Sequence, residues 1–222
     1  MQSPEDQQPP PGHSPNDPMR GHPSSRIPAA EDLAAVTPPP RQIDPGADVG
    51  HVNLTVTDLR RSLSFYRDVL GLRVTQQDDQ SAFLAAGGYH HHVALNTWQG
   101  EAHAPAPGSA GLHHFALRLP DKLALAQAVV RLVRAGHPLL GATDHGVNLA
   151  VYLRDPDGNG IELMLDRPID EWPRSADGGI AMRVDPLDLE ALLVEALAEP
   201  PAGSAVSQTD SGSVRNTATP CS

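Results

Sequence analysis

An internal duplication constrains the fold of this chain more than any other feature of its sequence. His51 and His114 each lie in a run where apolar and polar residues alternate, which predicts two β-strands. The two histidines are 63 residues apart. Asp58 and Asp121, which can each cap a following helix, are separated by the same number of residues. A repeat of this kind indicates that one folding unit occurs twice in the chain.

Each copy of the repeat has the order strand, helix and three further strands. The predicted elements of the first copy are strand 49–56, a helix from Asp58 to Gly71, and strands Leu72–Gln76, Ser81–Ala86 and His91–Thr97. Those of the second copy are strand Leu112–Leu119, helix Asp121–Ala135, and strands Leu139–Ala142, Leu149–Leu153 and Ile161–Leu165. We therefore predict an α+β fold of two tandem βαβββ modules, 49–98 and 111–166. Pairing about a pseudo-twofold axis would bring His51 and His114 together.

The last two strands of the second copy are joined by a turn at Asp155–Gly160, whose Pro and Gly residues favour a tight hairpin. Alternation places Glu162 on the face opposite to its apolar neighbours. A carboxylate between apolar residues is costly to bury unless a partner neutralises it. Two histidines and one carboxylate suit Fe(II) or Mn(II) and leave open coordination positions. We predict that His51, His114 and Glu162 bind one metal ion.

Further proton-transferring side chains lie near these predicted ligands. Three consecutive histidines, His90 to His92, open the last strand of the first module. A neutral imidazole is a suitable general acid or base near neutral pH. Alternation leaves two options, with His90 and His92 on one face or His91 on the other. His145 and Tyr152 lie beside the hairpin, either as hydrogen-bonding groups or as ordinary loop and packing residues.

The ends of the chain differ in composition from its middle. Twelve of the 23 prolines lie in residues 1–45, so we predict a disordered leader at 1–46. The small and polar residues of 198–222 predict a disordered tail. Between them we expect a folded domain at 47–173 and an extension at 174–197 with one short helix, which starts near Leu187.

Charge and cysteine content restrict the function classes. Residues 1–46 and 174–222 together carry −7 of the formal net charge of −11, and basic clusters are absent from the sequence, which argues against nucleic-acid binding. No apolar run has the length of a secretion signal or a membrane span. The single cysteine, Cys221, excludes disulfides and thiolate metal sites. We expect a cytoplasmic protein that binds neither nucleic acid nor membrane, and a homodimer that covers exposed sheet edges.

Three motifs of the sequence resemble those of the vicinal oxygen chelate superfamily, which includes glyoxalases, bleomycin-resistance proteins, fosfomycin-resistance enzymes and type I extradiol dioxygenases. The motifs are Gly50-His-Val-Asn-Leu, Phe65-Tyr-Arg-Asp-Val-Leu-Gly71, and Asp155-Pro-Asp-Gly158 followed by Ile161-Glu-Leu. The resemblance covers about 49–173 and implies paired βαβββ modules around a metal. The stretches 88–98 and 144–158 are similar to the catechol 2,3-dioxygenase-like group in particular.

This resemblance implies a dioxygenase that cleaves a catechol-like aromatic diol with O₂ at Fe(II), with Mn(II) as the alternative metal. The ligands would again be His51, His114 and Glu162. His91 would be the catalytic acid or base. His145 and Tyr152 would be catalytic groups that hydrogen-bond the substrate and oxygen species.

Asn53 and His92 are the expected substrate-binding residues, and the position of His92 also decides between two reactions. Glyoxalases of the superfamily use a fourth protein ligand on the last strand of the first module. We place Ala94 at this position, and its side chain cannot bind a metal. A register shifted by two residues would put His92 there and favour an isomerase or lyase. A third alternative is a bleomycin-resistance-type binding protein that holds a ligand without metal.

Overall fold

The computed structural model describes residues 42–100, 102, 103, 106 and 108–198, together with Pro18, Pro28, Ala29 and Glu31. The predicted disordered leader at 1–46 and the predicted disordered tail at 198–222 lie almost entirely outside these residues. The two predicted modules, 49–98 and 111–166, lie entirely inside them. The fold and the candidate site can therefore be followed continuously through each module.

Both modules have the predicted order of strand, helix and three strands. Module 1 contains β1 (Val52–Thr55), α1 (Leu59–Ser64), a π-helical turn (Phe65–Val69), β2 (Arg73–Gln77), β3 (Ser81–Ala85) and β4 (Val93–Asn96). Module 2 contains β5 (His114–Arg118), α2 (Lys122–Arg134), β6 (Leu139–Asp144), β7 (Asn148–Arg154) and β8 (Gly160–Asp166). A 3₁₀ turn (Ile169–Glu171) follows module 2, and the C-terminal extension contains β9 (Asp185–Pro186) and α3 (Leu189–Ala198).

The two sheets confirm the duplication through their strand order. Module 1 forms the sheet β1-β4-β3-β2, and module 2 forms β5-β8-β7-β6 with β9 added at its edge. In each module the first and last strands are parallel neighbours, while the remaining pairs are antiparallel. The hairpin predicted around Asp155–Gly160 is present, because β7 and β8 pair on either side of it. The fold class is α+β, as predicted.

One hydrophobic core includes residues of both modules. Its fully buried side chains include Val56, Tyr66, Leu84, Val93 and Leu95 of module 1 and Leu125, Val129, Leu132, Val151, Leu153, Ile161 and Leu163 of module 2. Burial of this apolar surface provides the main favourable free energy of folding. Because Ile161 and Leu163 face the core, the alternate residue Glu162 lies on the other face of the sheet, as predicted.

The turn between β7 and β8 connects the two modules through two aspartates. Asp155 is buried, and its carboxylate accepts hydrogen bonds from the Tyr66 hydroxyl at 2.9 Å and the Asn159 backbone N–H at 2.8 Å. Asp157 pairs with Arg61 of α1 at 2.6 Å. Burial, followed by the nearby Asp155, raises the pKa of Tyr66, so its hydroxyl stays protonated and donates. The first module is thus hydrogen-bonded to the turn that precedes β8.

We expect Tyr66→Phe to lower the free energy of unfolding by about 1–3 kcal/mol, because the buried Asp155 carboxylate loses a donor. Tyr89→Phe is the matched control, since the Tyr89 side chain is exposed and its change should stay within about 0.5 kcal/mol. Urea denaturation of both variants and the wild type measures the difference. Equal midpoints for the two variants would contradict the role given to the Tyr66–Asp155 bond.

Three local features differ from the sequence-based expectation. The helix predicted to run to Gly71 changes at Phe65 into a wider π-helical turn. β4 begins at Val93, so the three consecutive histidines precede the strand and do not open it. β9 was not predicted, and it extends the second sheet by pairing with β6. In the part of the chain that the structure describes, no helix combines the length and apolar character needed to span a membrane.

Candidate functional site

His114 and Glu162 come together on the open face of the second sheet. They lie on neighbouring parallel strands, β5 and β8, where Ala116 is directly opposite Glu162. His114 is two residues before Ala116 and therefore points to the same face. Its Nε2 lies 3.0 Å from Glu162 Oε2. The carboxylate is nearly inaccessible, with Glu162 7% exposed, so its few neighbours determine how its charge is stabilised.

Tyr152 and His145 extend this pair. Tyr152 lies directly opposite Glu162 on β7, and its hydroxyl is 3.4 Å from Glu162 Oε1. The same hydroxyl lies 2.8 Å from His145 Nε2. Burial and then the Glu162 carboxylate raise the pKa of Tyr152 to about 12, so the phenol is protonated at neutral pH. We call His114, His145, Tyr152 and Glu162 the module-2 cluster.

A second group of predicted residues lies on the first sheet. His51, one residue before β1, has its ring centroid 4.3 Å from that of His91. The two rings and Asn53 line a cavity of about 430 Å³. Burial, followed by the neighbouring histidine His51, lowers the pKa of His91, which favours a neutral imidazole. Phe83 contacts His91 at a centroid distance of 5.1 Å. We call His51, Asn53 and His91 the module-1 cluster.

The structure does not place the three predicted metal ligands in one group. Among the residues that it describes, no three or more His, Cys, Asp or Glu side chains are arranged to hold a metal ion. His114 and Glu162 are in contact, whereas His51 lies in the module-1 cluster. His51 as the third ligand therefore stays a prediction.

His92 is separated from Asn53, the other predicted substrate-binding residue. It lines a cavity of about 600 Å³ between the modules, whereas Asn53 lines the cavity of the module-1 cluster. Its Nδ1 accepts a hydrogen bond from the Ala86 backbone N–H at 3.3 Å, and its ring packs against Tyr89. The structure thus brings Asn53 together with His51 and His91, but not with His92.

Sequence reasoning missed two neighbours of the module-2 cluster. The first is His113, whose Nδ1 lies 2.8 Å from His114 Nδ1. β5 begins at His114, so strand alternation does not predict the direction of the His113 side chain. The second is Arg183, whose carbonyl oxygen lies 2.9 Å from His145 Nδ1. No motif in the sequence marks Arg183.

Asp144 stabilises the loop that carries His145. Its carboxylate accepts hydrogen bonds from the Gly146 backbone N–H and from Arg167, both at 2.7 Å. Although burial acts to raise it, these two donors hold the pKa of Asp144 below its ordinary value. The loop geometry around His145 therefore depends on an ionised aspartate.

Comparison with known proteins identifies the family. The family model described as the Glyoxalase/Bleomycin resistance protein/Dioxygenase superfamily matches residues 48–163, slightly more than half of the chain. The chain belongs to this superfamily. The matched region begins shortly before β1 and ends within β8, so it includes both clusters apart from the contact with Arg183.

Curated members of the superfamily include named dioxygenases. The Catechol-2,3-dioxygenase of Bacillus subtilis (strain 168) is 40% identical over 148 residues, which are 67% of this chain and 52% of that protein. The Biphenyl-2,3-diol 1,2-dioxygenase 3 of Rhodococcus globerulus is 33% identical over 119 residues, which are 53% of this chain and 63% of that protein. The chain thus spans about half of the length of the Bacillus protein.

Solved structures are also similar to this region of the chain. A lactoylglutathione lyase from Agrobacterium tumefaciens is 25% identical, with a TM-score of 0.44, over 55% of this chain and 96% of that chain. A glyoxalase/dioxygenase from Nostoc punctiforme is 20% identical, with a TM-score of 0.47, over 65% of this chain and 99% of that chain.

Strand register identifies the module-1 counterpart of Glu162. In the second sheet, Ala116 on β5 is opposite Glu162 on β8. The offset of 63 residues makes Asn53 the counterpart of Ala116, and Asn53 is opposite Ala94 on β4. Ala94 is therefore the counterpart of Glu162, and it is also the residue placed above at the fourth-ligand position of the glyoxalases; its methyl group offers no metal ligand.

Proposed function

We propose that this chain is a metal-dependent dioxygenase of the extradiol type, which opens the ring of a catechol-like aromatic diol with O₂. Ring cleavage next to the diol would give a semialdehyde in which both oxygen atoms of O₂ are retained. The named dioxygenases among the curated relatives support this reaction class. The contact between Glu162 and His114 is the observation that carries the proposal.

The residues of the module-2 cluster fit two of the three ligands of a divalent metal. A buried carboxylate requires a compensating positive charge or donors, and Glu162 is approached by His114 Nε2 and the Tyr152 hydroxyl. His and Glu form the donor set expected for iron or manganese. We propose His114 and Glu162 as ligands, and His51 as the third because it occupies the repeat position of His114.

A divalent ion held by these three side chains would act as a Lewis acid toward adjacent substrate oxygens, with Fe(II) as the proposed metal and Mn(II) as its alternative. The chain's own groups would bind and orient the diol. Asn53 is placed to hydrogen-bond the substrate, and His91 to accept a proton as a neutral imidazole. Tyr152, supported by His145, would hydrogen-bond the bound substrate beside Glu162.

Two alternatives within the superfamily differ in their demands on the site. An isomerase or lyase of the glyoxalase type would use a fourth protein ligand on β4. On β4 the residue that corresponds to Glu162 is Ala94, which cannot bind a metal, and His92 lines the cavity between the modules. The pairing of β1 with β4 therefore does not favour this reaction. A metal-free binding protein has no use for a buried carboxylate beside an imidazole, and this contact favours the enzyme.

The deciding experiment measures metal content and oxygen uptake in the full chain. We expect protein purified anaerobically without chelator to contain stoichiometric iron or manganese. When a panel of catechols is tested, we expect the protein to convert at least one of them to a coloured ring-opened product. One molecule of O₂ should be consumed for each molecule of that catechol. Elemental analysis, an oxygen electrode and absorbance spectra provide these three readouts.

Two other results would contradict the proposal. Activity with Ni(II) that does not depend on O₂ would assign the chain to the isomerases and lyases. Tight binding of an aromatic ligand by metal-free protein, without turnover after iron is added, would identify a binding protein.

A further inference from the structure

The backbone of the C-terminal extension contacts the loop that carries His145. The Arg183 backbone N–H donates to the His145 carbonyl oxygen at 3.1 Å. The Arg183 carbonyl oxygen, in turn, lies 2.9 Å from Nδ1 of the His145 ring. β9 begins two residues later, where Asp185 pairs with Asp144 at the edge of the sheet. A segment outside the region matched by the superfamily therefore reaches the module-2 cluster.

A second set of contacts restricts the same loop. Gly146 has φ of +77°, and a Cβ at this position would lie 2.9 Å from Cγ of Pro173. The Arg183 guanidinium lies 3.9 Å from Asp144 and 2.6 Å from Asp185. Glycine is required here for its backbone conformation and because the extension packs directly against it. His145 is consequently held in one position by residues on both sides of its loop.

The hydrogen positions on His145 follow from its two partners. A carbonyl oxygen only accepts hydrogen bonds, so the ring nitrogen facing Arg183, Nδ1, must carry a hydrogen. A neutral imidazole has one N–H, and Nε2 is then the acceptor for the Tyr152 hydroxyl at 2.8 Å. That hydroxyl has one hydrogen, and its distance to Glu162 Oε1 is longer, at 3.4 Å. The shorter bond, to His145, is the stronger one.

We propose that the Arg183 carbonyl is a positioning group of the site, which fixes the Nδ1–H tautomer of His145 and directs the Tyr152 hydroxyl hydrogen toward that ring. The Tyr152 oxygen is then free to accept a hydrogen bond beside Glu162, where a hydroxyl of a bound diol would donate it. The importance of this arrangement for catalysis rests on the proposed function. The tautomer itself does not, because it follows from contacts within the chain.

The tautomer is measured by two-bond ¹H–¹⁵N NMR of the histidine rings. The full chain is prepared without added metal and studied at about pH 8, where an ordinary imidazole is neutral. The His145 signals are those lost in His145→Gln. We expect a protonated Nδ1 and an unprotonated Nε2. A hydrogen on Nε2, alone or together with one on Nδ1, would overturn the proposal.

Two substitutions at one position separate the backbone from the side chain of Arg183. Arg183→Ala keeps the carbonyl and the backbone N–H, so we expect the same tautomer as in the wild type. Arg183→Pro removes the N–H that bonds to the His145 carbonyl, so the Nδ1–H form should give way to a mixture with the Nε2–H form. Identical spectra for the two variants would show that the backbone contact does not set the tautomer.

Turnover tests whether the positioning acts through Tyr152. We expect Arg183→Pro to lower kcat about tenfold with little change in KM, as for other groups that orient a catalytic side chain. Combined with Tyr152→Phe it should cause no further loss, because both changes remove the same hydrogen bond. Additive losses would overturn the proposed route through Tyr152. If the wild-type chain opens no catechol, the proposed function fails, whereas the NMR result still decides the tautomer.

Discussion

His114→Ala is expected to abolish ring opening, with a loss of more than about a hundredfold in kcat/KM. The substitution removes one proposed metal ligand and leaves the buried Glu162 carboxylate without its imidazole neighbour at 3.0 Å. Metal content should fall with activity, because two of the three proposed ligands do not hold a divalent ion tightly. Oxygen uptake and elemental analysis of the same preparation measure both effects.

His103→Ala is the matched control for this experiment. His103 is an exposed histidine in the linker between the modules, so its removal should leave metal content and oxygen uptake unchanged. Circular dichroism of both variants checks that the fold is retained. Full metal content and full activity in His114→Ala would remove His114 from the site.

Gly160→Ala is expected to destabilise the protein by about 3 kcal/mol, because the added methyl group has no space. A Cβ at this position would overlap the carbonyl oxygen of His113 and lie 2.8 Å from Cβ of His114. β5 must then move away from the start of β8, where His114 is paired with Gly160. We also expect weaker metal binding, because the same shift separates His114 from Glu162.

Gly141→Ala provides the comparison within the same sheet. No atom lies within 4 Å of the Cβ position at Gly141, so its substitution should change the free energy of unfolding by no more than about 0.5 kcal/mol. Thermal or urea denaturation measures both variants. Equal stability of the two would show that β5 and β8 accommodate a side chain at their closest approach.

The contact between His114 and Glu162 could be predicted because it depends only on strand periodicity and on the repeat. Alternation placed Glu162 on the face away from the core, and the offset of 63 residues matched His114 to His51. The family resemblance separately placed Ala94, which cannot bind a metal, at the fourth-ligand position of the glyoxalases. His114 and Glu162 lie in the same sheet, so alternation and the repeat were enough to predict that they share a face.

The remaining parts of the site depend on tertiary contacts. Periodicity places His51 on the open face of its own sheet, but its distance from Glu162 depends on how the two modules pack together. That packing is determined by contacts such as the bond between Tyr66 and Asp155, which alternation does not reveal. Arg183 contacts His145 through its backbone carbonyl oxygen. Because every residue type has this group, the identity of residue 183 does not predict the contact. The π-helical turn at Phe65–Val69 likewise has no simple sequence pattern.

The turn that carries Asp155 contacts module 1 and also leads into β8 of module 2. It accepts the hydroxyl of Tyr66 from the first module, and it ends two residues before the strand residue that carries the buried carboxylate, Glu162. Loosening of the contact between modules would therefore also loosen the start of β8. Although the chain is built from a duplicated unit, we therefore expect its two modules to unfold together, and the geometry of the module-2 cluster to be lost when the contact between them opens.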